Sequence, residues 1–245
     1  MIIVTGMHRS GTSLLAMTLE ALDLDFGDHD EFYAADRWNE EGYFERRDVI
    51  DMNSRLLSGH ARTAGRLGSV LSQVRYLAGQ RESTFQKRAR DYEADLAPLA
   101  ASLDGIAVKD PRFCLTYDAW TPHVDVEMVI IALRHPTAVV SSLHRRQHIP
   151  RTVAYRFWNR HAEGLLSIDH PRRLFVRFER LVGDRPAAEL ERVVRFLGLD
   201  ITVEEALARF QSRFVSSLQH HASVETGLPE ETKVLWDAIT RVGSP

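Results

Sequence analysis

The stretch Ile3-Val4-Thr5-Gly6-Met7-His8-Arg9-Ser10-Gly11-Thr12-Ser13-Leu14-Leu15 constrains this chain more than any other. An apolar strand runs into two glycines five positions apart and then directly into an apolar helical pattern. Glycines let the backbone curl until successive N–H groups point inward, and the positive end of the following helix reinforces them. Such a strand–loop–helix cradles phosphate. The spacing follows the loop G-x-x-x-x-G-K-[ST], except that Thr12 stands where nucleoside triphosphatases carry lysine, with Arg9 inside the loop instead. An anionic nucleotide other than ATP·Mg²⁺ is the expectation.

The remaining pattern alternates strands and helices. Ile2–Val4 reads as a buried strand and 10–24 as its crossover helix, with Leu14, Leu15, Leu19 and Leu22 on one face. Residues 25–47 have no period and read as a lid or binding loop. Helices are expected over 48–60, 69–79 and 83–103, the last capped by Ser83-Thr84. Strands follow at 105–109, 126–133 and 173–178. Helices are expected at 136–148 and 151–168, split by Pro150, at 186–197, stopped by Gly198, and at 202–213 and 229–242. The fold expected is a single α/β domain over residues 1–245. It has a central parallel sheet of four to five strands, helices on both faces, and a P-loop-like phosphate loop after the first strand. Ligands in such sheets bind beyond the carboxyl ends of the strands. The phosphate loop, Lys109-Asp110, Arg134 and Phe178 all mark those ends, so they should share one rim.

A chain of 245 residues, 44% hydrophobic, can bury a full core. Its net charge of −3 argues against a nucleic acid polymer or a membrane surface as partner. Residues 134–160 nevertheless hold Arg134, Arg145, Arg146, Arg151, Arg156 and Arg160 and no acid, either a local anion site or a solvated helix face. Cys114 is the only cysteine, which excludes an intrachain disulfide and suits a reducing compartment. It sits in an apolar setting and reads as a small core residue. No apolar run is long enough to span a membrane, and a core strand at Ile2 leaves no room for a targeting peptide. A soluble cytoplasmic protein is expected. His144 and His148 lie four apart without a third ligand at metal spacing, so no metal is expected.

The loop Gly6–Ser13 resembles the 5′-phosphosulfate loop of sulfotransferases that use 3′-phosphoadenosine 5′-phosphosulfate (PAPS). Arg134-His135-Pro136, with Ser142 eight residues after the arginine, is similar to their 3′-phosphate motif. Phe178-Glu179-Arg180-Leu181 is similar to their Tyr-Glu-Asp-Leu turn, whose ring lies by the adenine, and Phe196-Leu197-Gly198 recurs there too. The segments 39–45 and Lys109-Asp110-Pro111-Arg112 resemble bacterial members acting on carbohydrates or other metabolites, and a Lys-Asp-Pro also occurs in the tyrosylprotein branch. The likeness spans residues 2–198.

The resemblance implies that PAPS is the co-substrate and a hydroxyl-bearing small molecule or glycan the acceptor, bound on the side of residues 25–103. Arg9, at the place of the family's loop lysine, would follow charge onto the leaving group. Ser10, Gly11, Thr12 and Ser13 would hold the 5′-phosphate. Arg134 and Ser142 would bind the 3′-phosphate, although Ser141 is adjacent and only the offset chooses between them. Phe178 would stack by the adenine or simply fill core. The general base would be Glu45, Glu41 or His8. Lys109 would assist at the sulfonate, or pair with Asp110 or another neighbour. Two other readings stay open: a phosphotransferase using ATP and Mg²⁺, with Asp110 as the strand-end acid, and a non-catalytic nucleotide-binding protein.

Overall fold

The computed structural model describes residues 1–33, 44–61, 75–183, 185–213 and 227–243. Strand β1 (Ile2–Gly6) passes through the glycine loop into α1 (Thr12–Ala21). Helices α2 (Arg47–Ser58), α3 (Glu82–Asp91) and α4 (Glu93–Ser102) precede β2 (Ala107–Lys109). Helix α5 (Phe113–Trp120) leads to β3 (Met128–Leu133), then α6 (Pro136–Gln147) and α7 (Arg151–Ser167). Strand β4 (Arg173–Arg177) runs straight into α8 (Phe178–Val182), followed by α9 (Pro186–Leu197), α10 (Val203–Arg213) and α11 (Glu230–Val242).

The four strands are all parallel, in the order β2-β1-β3-β4. Their period-two alternation splits the core into two layers. Ile3, Val108, Val129, Ile131, Leu133 and Phe175 bury one face against α2, α5, α6 and α7. Val4, Ala107, Met128, Ile130, Ala132, Leu174 and Val176 bury the other against α1, α9 and α10. From β1 the chain crosses to β2 on one side and returns to β3 on the other. A crevice therefore opens between the carboxyl ends of β1 and β3, the usual ligand position in such sheets. Gly6 registers against Ala132 there, and Val4 against Lys109 on the other side.

The fold class is as the sequence predicts, and Leu14, Leu15, Leu19 and Leu22 are all buried. Four local expectations change. Residues 113–120, given no element above, form α5. Phe113, Cys114, Thr116, Ala119 and Trp120 are all buried, so the helix shows little amphipathic period. The helix expected over 83–103 breaks at Tyr92 (ψ 8°), whose hydroxyl donates to Gly59 O at 3.3 Å. That tether is tertiary and leaves no local signal. Ser83 and Thr84 are not caps: α3 starts at Glu82 after Arg81, with no side-chain cap bond. Phe178 opens α8 rather than ending β4, where Glu189 Oε1 accepts from Arg177 N at 2.7 Å. Among the described residues no helix is long and apolar enough to cross a membrane.

Candidate active site

The loop between β1 and α1 is built around its two glycines. Gly11 has φ 90°, and a Cβ there would lie 2.3 Å from Phe178 Cδ2. At Gly6 it would lie 2.5 Å from Ala132 O. Arg9 adopts φ 69°, which a side-chain-bearing residue rarely does, and Ser10 N donates to Met7 O at 3.0 Å to close the turn. Helix α1 has no side chain capping its first amides. Ser10 Oγ is buried and finds no hydrogen-bond partner among the described residues. A buried hydroxyl without a partner costs about 1–3 kcal/mol. An oxyanion in the cradle would satisfy the hydroxyl and the helix amides together, so these residues fit a phosphate.

Two arginines close the crevice. Arg9 Nε donates to Ser142 Oγ at 3.1 Å, so Ser142 rather than Ser141 is the serine of α6 that meets the loop. Arg134, just after β3, donates from Nη1 to Arg9 O at 3.2 Å. Its Cζ lies 4.3 Å above the Phe178 ring, a cation–π contact. Phe178 is thus wedged between Gly11 and Arg134. Burial lowers the Arg134 pKa; Glu179 partly restores it and Arg145 lowers it further. An anion arriving there would favour the charged guanidinium. Arg9, Ser10, Gly11, Arg134, Ser142 and Phe178 come together in one cluster, and Thr12 and Ser13 open the adjoining helix.

A second cluster lies at the end of β2. Lys109, 1% exposed, donates to Glu45 Oε1 at 2.7 Å and to Ser13 Oγ at 3.3 Å. Glu45 is held by the antiparallel bridge Phe32–Arg46 and by Tyr33 N donating to its carbonyl at 2.7 Å. Lys109 therefore pairs with Glu45, not Asp110. Asp110 instead takes Arg112 in a fork at 2.9 and 3.0 Å and accepts from Arg112 N at 2.7 Å. Burial opposes the Arg112 charge, yet Asp110, Tyr76 and Glu45 together raise its pKa. Glu41 lies outside the described residues. His8 Nε2 is 3.0 Å from Tyr76 Oη.

A sequence model of the Sulfotransferase family matches residues 2–204. The chain belongs to that family. A solved sulfotransferase domain from the olefin synthase of Synechococcus PCC 7002 shares the fold. It aligns at a TM-score of 0.52 and 19% identity, over 98% of this chain and 93% of that one. No curated protein matches the chain significantly.

Three features of this sulfotransferase site escape a sequence reading. Trp236 of α11 packs edge-on to His135 at 5.1 Å and under Arg177 at 5.7 Å, so the C-terminal helix abuts the Arg134-His135-Pro136 turn. Glu179 Oε1 accepts from His135 N at 2.8 Å and fixes the same turn from α8. Tyr76 and His161 meet at 2.6 Å behind the loop. His161 carried a faint signal, one polar ring four residues from Phe157 on an apolar helix face; Tyr76 carried none. The Cys114 thiol is buried, which pushes its pKa far up and leaves it inert.

Proposed function

We propose that this sulfotransferase moves a sulfuryl group from PAPS to a hydroxyl of a carbohydrate or small metabolite, without a metal ion. The observation that carries the reading is the convergence of Arg9, Arg134 and Ser142 on a glycine cradle whose Ser10 hydroxyl is buried and unsatisfied. The loop amides and the hydroxyls of Ser10, Thr12 and Ser13 would hold the 5′-phosphate. Arg134 and Ser142 would hold the 3′-phosphate that separates PAPS from ATP. Phe178 would serve the nucleotide by bracing Arg134.

In the transfer, the acceptor oxygen forms a bond to sulfur while the bond from sulfur to the bridging oxygen breaks. The electron pair leaves on the 5′-phosphate, and the hydroxyl proton goes to a carboxylate. Glu45 is the residue we assign as that base, with Lys109 steadying the sulfonate oxygens beside it. Arg9 neutralises charge growing on the leaving phosphate. The 25–103 segment, which carries Glu45, would supply the acceptor side. The ATP·Mg²⁺ alternative is disfavoured because Asp110, its strand-end acid, is committed to Arg112 by three hydrogen bonds.

Calorimetric titration with 3′-phosphoadenosine 5′-phosphate tests the donor. Metal-independent binding, tighter than ATP and weakened about ten- to hundredfold in Arg134→Ala, is expected, since a charge-assisted hydrogen bond carries about 1.5–3 kcal/mol. Preference for ATP·Mg²⁺ would overturn the reading.

A further inference from the structure

Behind the phosphate loop lies a chain of polar groups that the transfer does not use. His161 on α7 is fully buried, and its Nδ1 lies 2.8 Å from Phe157 O. A carbonyl oxygen only accepts, so Nδ1 carries a proton. Burial pushes the His161 pKa down to about 3, with Arg160 and Arg112 acting in the same direction. The ring is therefore neutral, and its Nε2 offers only a lone pair. Tyr76 Oη stands 2.6 Å from that Nε2 and donates its single proton there. Burial raises the Tyr76 phenol well above its ordinary range, so the proton stays on it. His8 Nε2 lies 3.0 Å from the same oxygen, which has only lone pairs left. His8 Nε2 consequently carries a proton and donates it.

We infer that Tyr76 is a positioning residue for the phosphate loop: this one-directional chain fixes His8 with its proton on Nε2 and ties the loop to α7. The inference rests on the reading that the loop holds the donor's 5′-phosphate. Packing supports the same assignment. The His8 ring stacks on Phe157 at 6.0 Å and 13°, and it meets Tyr76 and His161 edge-on at 5.6 and 5.9 Å. Arg112 and Arg160 stand 5.7 and 6.0 Å from the Tyr76 ring centroid, and Arg160 Nη1 donates to Tyr76 O at 2.8 Å. Asp110 neutralises Arg112 beside them. Residue 9, next to His8, holds a backbone conformation that an L side chain adopts rarely, so an anchor on its neighbour bears directly on the cradle. Two consequences follow. Nε2 of His8 is spent on Tyr76 and does not serve as the base. The helical segment containing Tyr76 and the donor loop also share one hydrogen-bond chain.

Tyr76→Phe keeps the ring and its packing while removing the hydroxyl that hydrogen-bonds both histidines. Histidine ¹⁵N spectra, with His8 and His161 signals assigned by His8→Asn and His161→Gln, read the tautomers directly. In the wild type His8 should show protonated Nε2 and His161 protonated Nδ1, the latter unchanged between about pH 5 and pH 8. In Tyr76→Phe the His8 signal should become a mixture of tautomers. Affinity for 3′-phosphoadenosine 5′-phosphate should fall about tenfold, the scale of one buried hydrogen bond. An unchanged His8 tautomer, or unchanged nucleotide affinity in Tyr76→Phe, would overturn the inference. A wild-type protein that does not bind the nucleotide would instead sink the donor reading, and the tautomer signals would still decide whether the chain runs as assigned.

Discussion

At the residue scale, the site is a set of groups that cannot be exchanged for near neighbours. Gly11 shows this most sharply. Its positive φ and the Phe178 ring leave no room for even a methyl group. Gly11→Ala should abolish nucleotide binding in calorimetry while the far-ultraviolet circular dichroism stays unchanged; retained affinity would mean that the loop carries no phosphate. Glu45 is a different case, because it both faces the acceptor side in our reading and neutralises buried Lys109. Removing one partner of a buried ion pair costs about 3–5 kcal/mol, so truncation would confuse catalysis with folding. Glu45→Gln retains an oxygen for Lys109 Nζ but removes the neutralising charge together with the basic carboxylate, so its urea midpoint is read beside its turnover. It should lower turnover about 10²–10⁴-fold, read as release of 3′-phosphoadenosine 5′-phosphate, with nucleotide affinity preserved. Activity near that of the wild type would remove Glu45 as the base. The pairing itself was not legible in the sequence, where Lys109 has Asp110 as its neighbour and Glu45 lies 64 residues away.

At the scale of elements, the strand ends and the glycine loop were readable because each is a local event: an apolar run that stops, followed by a breaker or a charge. Helix α5 was not readable. It is buried on nearly every side, so it lacks the polar stripe that periodicity detects. What holds it is tertiary. Asn53 Oδ1 on α2 accepts from Thr116 Oγ1 at 2.8 Å and from Trp120 Nε1 at 2.9 Å, both on α5. All three residues are fully buried. Asn53→Ala leaves the Trp120 indole N–H without its acceptor, while Thr116 Oγ1 keeps Arg112 O at 3.2 Å, and should cost about 1–3 kcal/mol in urea denaturation. A cost within a few tenths of a kcal/mol would show that water replaces the amide. Because α5 follows directly from Asp110-Pro111-Arg112, this clamp also sets where the Asp110–Arg112 pair stands.

For the whole molecule, buried His161 predicts how stability depends on pH. Its pKa falls from 6.5 to about 3 on folding, chiefly through burial. Between those values the unfolded chain binds a proton that the native state refuses. Stability therefore falls as pH drops below 6.5, by up to about 1.4 kcal/mol per pH unit from this one group. Asp110, whose pKa burial raises, contributes the opposite slope from the ordinary carboxylate range upward. Urea midpoints between about pH 7 and pH 5 should thus decline in the wild type and decline less steeply in His161→Gln, where His135, lowered by its own burial, still contributes; equal slopes in both would place the titration elsewhere. The sequence alone determined the parallel α/β class, the glycine loop after the first strand and the common rim of Arg134, Phe178 and Lys109. Those follow from backbone preferences and short-range periodicity. Only the tertiary structure decided that Lys109 pairs with Glu45, that Phe178 is wedged between Gly11 and Arg134, that Trp236 abuts the His135 turn, and that Tyr76 joins His8 to His161. Each of those contacts joins residues far apart along the chain, and partners so distant are selected by packing and burial, which no local stretch of sequence encodes.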